Sequence, residues 1–163
     1  MPPDKINSPK IIREILSARN LAPRKSLGQN FLIDDNVLHK IAAAGQVDAG
    51  DAVLEIGPGL GALTEILVKQ AGRVVAVEYD RGLFSILKDR LGDCRNLILL
   101  NSDIMAVDLT ELTAKYQGSL KVIANLPYYI TTPIIFKLVE SGIPWESMVF
   151  LVQKEVAQRI TAA

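Results

Sequence analysis

Cysteine and histidine are almost missing from this sequence: one of each, Cys94 and His39, stands among 163 residues. A lone cysteine excludes an internal disulfide and fits a reducing compartment. One cysteine and one histidine cannot build a zinc site of the usual kind. His39 falls inside an amphipathic helical pattern and reads as an ordinary surface or packing residue. No signal peptide is visible and no apolar run is long enough to span a membrane, so a cytoplasmic location is expected. Repeats and low-complexity linkers are also lacking. Nor is there an excess of either charge. Lys and Arg together number 18, as do Asp and Glu, so no global basic field points to nucleic acid.

The even balance hides an uneven distribution. Residues 1–25 hold six basic side chains (Lys5, Lys10, Arg13, Arg19, Arg24, Lys25) against two acidic ones, Asp4 and Glu14. A basic arm on a mildly acidic body is one footprint of an anionic polymer. A solvated helix face explains the charges equally well.

The most informative stretch is Val53-Leu54-Glu55-Ile56-Gly57-Pro58-Gly59-Leu60-Gly61. An apolar strand runs into a glycine-spaced turn, and helical spacing follows from Ala62 to Val68. This is the opening of a doubly wound α/β nucleotide site. The spacing is G-x-G-x-G, not the G-x-G-x-x-G of the dinucleotide fingerprint, which disfavours NAD.

The remaining pattern alternates. Ser8-Pro9 starts a helix, residues 20–33 form a loop, and Asp34 or Asp35 caps a second helix closed by Gly45. Strands are predicted at 52–56, 74–78, 96–100, 120–124 and 148–152. Between them lie helices from about Leu60 to Gln70, from Arg81 to Leu91, after Asp108 and from Thr132-Pro133 to Leu138. A last helix begins near Lys154. Continuous apolar strands between amphipathic helices imply a parallel sheet covered on both faces. The fifth strand is as apolar as the central ones, whereas edge strands usually carry charge or proline. Residues beyond 163 are therefore expected to cover Met148 to Val152, and an exposed edge there is expected to promote self-association.

In an open parallel sheet the ligand sits beyond the carboxyl ends of the strands. Glu78 lies 17 residues after Gly61 and suits the two hydroxyls of a ribose. Asp103 suits an adenine amine with Ile104 against the ring, although alone it serves equally well as a turn residue. The two carboxylates fit a nucleoside and would repel a diphosphate. In Asn125-Leu126-Pro127-Tyr128, polar and rigid groups appear abruptly where an apolar strand ends. The Asn side-chain oxygen and a neighbouring carbonyl can converge on one NH₂ group, and Tyr128 offers a face on which a base can stack.

These motifs, together with Lys25-Ser26-Leu27-Gly28-Gln29-Asn30-Phe31-Leu32 and Gln153-Lys154-Glu155-Val156-Ala157, cover nearly the whole chain. The sequence resembles the small-subunit ribosomal RNA adenine dimethyltransferases, relatives of the erythromycin-resistance rRNA methylases. The resemblance implies a Rossmann-like class I S-adenosylmethionine-dependent methyltransferase with a mostly parallel sheet, truncated after the fifth strand. Residues 1–33 would be an N-terminal helix and basic cofactor-lid loop. Residues 34–163 would be a partial methyltransferase domain, without the C-terminal strands and helical domain.

It further implies S-adenosylmethionine as cofactor, with Asn30 and Leu32 closing over it. Gly57 would lie at its methionine part, Glu78 at the ribose and Asp103 at the adenine amine. Asn125 would stand where methyl donor and target amine meet, with Tyr128 stacking the target adenine. The implied reaction is dimethylation of N6 on two neighbouring adenosines near the 3′ end of small-subunit rRNA, during ribosome biogenesis. The partner would be that rRNA or the immature small subunit. No metal or catalytic histidine is required. The truncated chain itself is expected to be inactive. Rival readings are a methyltransferase acting on another amine and a non-catalytic assembly factor.

Overall fold

The computed structural model describes Ile6, residues 8–23, Phe31, Leu32 and residues 34–162. The elements run α1 (Pro9–Ser17), α2 (Asp35–Ala44), β1 (Asp51–Ile56), α3 (Ala62–Gln70), β2 (Arg73–Glu78), α4 (Arg81–Leu91), β3 (Leu97–Asn101), α5 (Leu109–Thr113), β4 (Ser119–Asn125), α6 (Thr131–Glu140), β5 (Trp145–Leu151) and α7 (Lys154–Thr161). Two 3-10 turns, Ile104–Ala106 and Tyr128–Ile130, follow β3 and β4.

Local chemistry sets the helix starts. Ser8 caps α1 by accepting from the Ile11 amide, with Pro9 next. Asp34, Asp80 and Asp108 cap α2, α4 and α5 in the same way. Each satisfies an amide that the first helical turn leaves without a partner.

The five strands form one parallel sheet in the order β3-β2-β1-β4-β5. Alternate side chains of the central strands feed two cores, because successive strand residues point to opposite faces. Leu54, Ile56, Val75, Val77, Val122 and Ala124 pack with Leu109 of α5 and with Ile134 and Leu138 of α6. Val53, Val74 and Ile123 pack with α2 and α3 on the other face. A third cluster fastens α1 to α4 through Ile12, Leu16, Leu83 and Ile86, and takes in Ile6 and Leu60. Among the described residues no helix is long and apolar enough to cross a membrane.

Most element boundaries fall within one or two residues of the sequence reading, and the larger differences have local causes. Helix α3 begins at Ala62 instead of Leu60, because Gly61, at φ +92°, ends the turn. Helix α6 spans Thr131–Glu140, wider than the predicted 132–138. Strand β5 begins at Trp145 instead of Met148. Its first half lacks an apolar run, but the Trp145 indole donates to Leu138 O at 3.1 Å and to Ser141 Oγ at 3.2 Å. A register shift between Leu120 and Lys121 absorbs the extra residue. At the amino ends of the strands, the buried Lys121 ammonium bonds Asp51 at 2.8 Å and Gln46 O at 2.8 Å, tying β4 to β1.

Candidate active site

The chain leaves β1 towards β2 and β3, then returns to place β4 on the other side of β1. Loops diverge at such a reversal and leave a crevice at the carboxyl ends of the strands. Gly57, after β1, and Asn125, the last residue of β4, face this gap. A cleft opens there, lined by residues including Leu32, Glu55, Gly57, Glu78, Asp103, Ile104, Asn125 and Tyr128. Its empty volume is about 1030 Å³, open space at the mouth included.

The glycine turn is bare for a conformational reason. Gly57, Gly59 and Gly61 have φ of +68°, +61° and +92°, a region that costs other residues roughly 1–3 kcal/mol. The backbone conformation by itself demands glycine at these positions. Gly57 N donates to Val77 O at 3.0 Å, holding the turn against β2. A Cβ at Gly57 would meet the Pro127 ring at 3.6 Å and Asn125 O at 3.7 Å, so the turn and the β4 corner are close neighbours.

Glu78 is 6% exposed. Its two oxygens accept from the amides of Gly59 (3.0 Å) and Asp80 (2.9 Å). The carboxylate is thus locked between the glycine turn and the start of α4, and each oxygen keeps lone-pair capacity for a further donor. Burial raises its pKa above the usual range, and the two amides work against that rise. Asn101 Nδ2 donates to Glu78 O at 2.8 Å and Ser102 N donates to the same oxygen at 3.1 Å, joining the ends of β2 and β3.

Asp103 is a turn residue that also lines the cleft. Oδ1 accepts from the Met105 amide at 2.9 Å, capping the 3-10 turn, while the residue lines the cleft beside buried Ile104. Across the crevice, Leu126 is 1% exposed and anchors the Asn-Leu-Pro-Tyr corner. Leu126 N donates to Leu151 O at 3.2 Å, and the Thr131 hydroxyl donates to Pro127 O at 2.8 Å. Asn125 and Tyr128 are thereby presented from a rigid corner. Leu32 is half-buried at the wall near α2 and α3. Asn30 lies outside the described residues.

The sequence reading missed three lining groups. Glu55 is 1% exposed inside β1 and accepts from the Thr64 hydroxyl at 2.6 Å. Burial pushes its pKa up to about 8; the Thr64 hydrogen bond opposes this, and the nearby charge of Glu78 adds to it. An acidic residue in an apolar strand was the signal available. Tyr79 and Tyr129, 56% and 49% exposed, also line the cleft, and their position just after β2 and β4, where an open parallel sheet binds its ligand, was the signal available.

A glycine turn, an anchored carboxylate beyond β2 and a polar corner at the strand-order reversal define a nucleoside-binding α/β domain, with the fold of the class I S-adenosylmethionine-dependent methyltransferases. The chain belongs to the ribosomal RNA adenine dimethylase family, whose family model matches residues 20–163. It is 47% identical over 161 residues to the ribosomal RNA small subunit methyltransferase A of Alkaliphilus metalliredigens, covering 98% of this chain and 56% of that protein. The protein of the same name from Clostridioides difficile matches with the same identity and coverage.

Among solved structures, a dimethyladenosine transferase from Plasmodium falciparum superposes with a TM-score of 0.70 at 32% identity, over 82% of this chain and 47% of that one. The 23S rRNA methyltransferase ErmE gives 0.68 at 27% identity, over 79% and 50%. The chain spans about half the length of the curated relatives it matches.

Proposed function

We propose that this chain carries the methyl-donor and target-base site of an S-adenosylmethionine-dependent rRNA adenine N6,N6-dimethyltransferase. The substrate would be two neighbouring adenosines near the 3′ end of small-subunit rRNA, met in the maturing small subunit. One observation carries the reading. The strand-order reversal brings the Asn125–Tyr128 corner against Gly57, while Glu78 and Asp103 line the far side of the same cleft. Two carboxylates at the strand ends, Glu78 and Asp103, suit a nucleoside and would repel a diphosphate.

The roles proposed here rest on the family's motifs, with the lining of the cleft in support. Glu78 holds the ribose, Asp103 the donor's adenine amine and Gly57 the methionine part. Leu32, with Asn30, closes over the donor from the loop that precedes α2. Asn125 accepts from the target amine. An adenine N6 lone pair is delocalised into its ring, so accepting from its N–H groups favours the tetrahedral nitrogen that attacks. In-line alignment of that nitrogen with the methyl supplies much of the rate, and Tyr128 fixes the base plane by stacking. The donor brings the reactive methyl; the protein orients the partners.

Side-by-side titration with S-adenosylmethionine and NAD should show saturable binding of the first alone. In the full-length enzyme, Asn125→Ala should lower methyl transfer to small-subunit rRNA by about a hundredfold or more, with donor affinity within a few-fold of wild type. Equal loss of both would contradict the role given to Asn125. We also propose that the open edge of β5, with half-buried Met148, Val149, Phe150 and Leu151, recruits a second copy of this chain.

A further inference from the structure

A glycine turn can take more than one backbone course. Gly61 sits at φ +92°, and glycine adopts negative φ as readily. The Leu60–Gly61 peptide is therefore free to turn over unless its polar ends are held. Both are held. Gly61 N donates to Pro58 O at 3.0 Å, within the turn. Leu60 O accepts from Arg90 Nη1, which reaches it from the last turn of α4. Gly59 and Leu60 line the cleft, so this peptide is part of its wall.

The Arg90 side chain is buried, with 6% of its surface exposed. Side chains on a helix lean towards its N-terminus, which brings the guanidinium back towards the turn. A Cβ added to Gly61 would lie 3.2 Å from Nη1. Nη2 pairs with Glu65 Oε1 on α3. Burial lowers the Arg90 pKa, and the Glu65 charge opposes that fall. Nε is buried with no partner among the described residues, and a buried donor without a partner opposes folding. An apolar side chain would avoid that cost, so stability alone does not account for an arginine here. What the arginine adds is a donor for Leu60 O. At the other end of the turn, Gly59 N donates to Glu78 Oε2 at 3.0 Å. The turn is thus pinned twice, by the carboxylate just before α4 and by the guanidinium near the end of α4.

We propose that Arg90 is a positioning residue of this site: from α4 it holds the Leu60 carbonyl, sets the Leu60–Gly61 peptide in one orientation, and so keeps the glycine turn shaped for the methyl donor before the donor arrives. This role rests on the methyl-donor reading and adds to it the group that holds the turn in its binding shape. Arg90 acts through the turn and touches neither the methyl group nor the target base.

The test is calorimetric titration of S-adenosylhomocysteine into the wild-type chain, Arg90→Met and Glu65→Gln. Both variants remove the ion pair, but only Arg90→Met frees the Leu60 carbonyl. Arg90→Met should bind about tenfold more weakly and Glu65→Gln within about twofold of wild type, while ligand-free Arg90→Met melts with wild type. If Arg90→Met does not fold, Arg90→Gln, which is polar but two bonds shorter, carries the same comparison. In the full-length enzyme, Arg90→Met should raise KM for S-adenosylmethionine and leave kcat and KM for small-subunit rRNA within about twofold. Wild-type affinity in Arg90→Met, equal loss in Glu65→Gln, or a fall in kcat matching the rise in KM would overturn the role of Arg90 and leave the donor site standing. Failure of the wild-type chain to bind S-adenosylhomocysteine would overturn the donor reading and the role of Arg90 with it.

Discussion

A carboxyl group stripped of water keeps its proton, and Glu55 is such a group: buried in β1, bonded by Thr64 and raised to about pKa 8. The unfolded chain releases that proton in the ordinary carboxylate range, near 4.5. The folded chain binds more protons between these values, so Glu55 makes stability fall as pH rises from about 4.5 to about 8. With about 1.4 kcal/mol per pKa unit, the effect reaches a few kcal/mol at its upper end. Glu55→Gln should remove this slope. Melting temperatures of variant and wild type, measured without ligand from pH 5 to 8, should diverge increasingly in the variant's favour. Parallel curves would show that Glu55 is ionised throughout. At this scale the sequence exposed the residue but not its state, since protonation depends on what surrounds the carboxyl in three dimensions.

The glycine turn and the β4 corner act as units. Gly61 is the hinge between β1 and α3, at φ +92°. A Cβ there would lie 2.6 Å from Leu87 Cδ1 and 3.0 Å from Leu91 Cδ1, both on α4. Gly61→Ala therefore combines a left-handed backbone with overpacking and should cost about 3 kcal/mol, read as a lowered denaturation midpoint at constant slope. Stability within 0.5 kcal/mol of wild type would mean that α3 shifts freely. The turn was legible as a motif, and the caps at Ser8, Asp34 and Asp108 were legible as helix starts, because both depend on neighbours in sequence. The beginning of β5 was not, because Trp145 is held by Leu138 and Ser141 of the preceding helix end, and by pairing across to β4.

In the whole molecule, one reversal of strand order decides where chemistry can occur. Strands β3, β2 and β1 follow in sequence from one edge, and β4 and β5 extend the sheet on the other side of β1. Strand β5 pairs with β4 and, among the described residues, with no other strand. An open apolar edge is a template for further pairing. Light scattering of this chain should therefore show a concentration-dependent rise in mass, and Val149→Lys, which charges the edge, should reduce it. A monomer at all concentrations would refute the self-association proposal.

Residue order alone determined the alternation of strands and helices, the parallel sheet, the glycine turn and the set of candidate side chains at strand ends. Those features are written in periodicity and local hydrogen-bonding chemistry, which act over a few residues. Only the tertiary structure decided that Asn125 lies next to Gly57 with Glu78 and Asp103 beyond, and that Glu55 holds its proton. Each depends on strand order and burial, which arise from contacts between residues far apart in the chain.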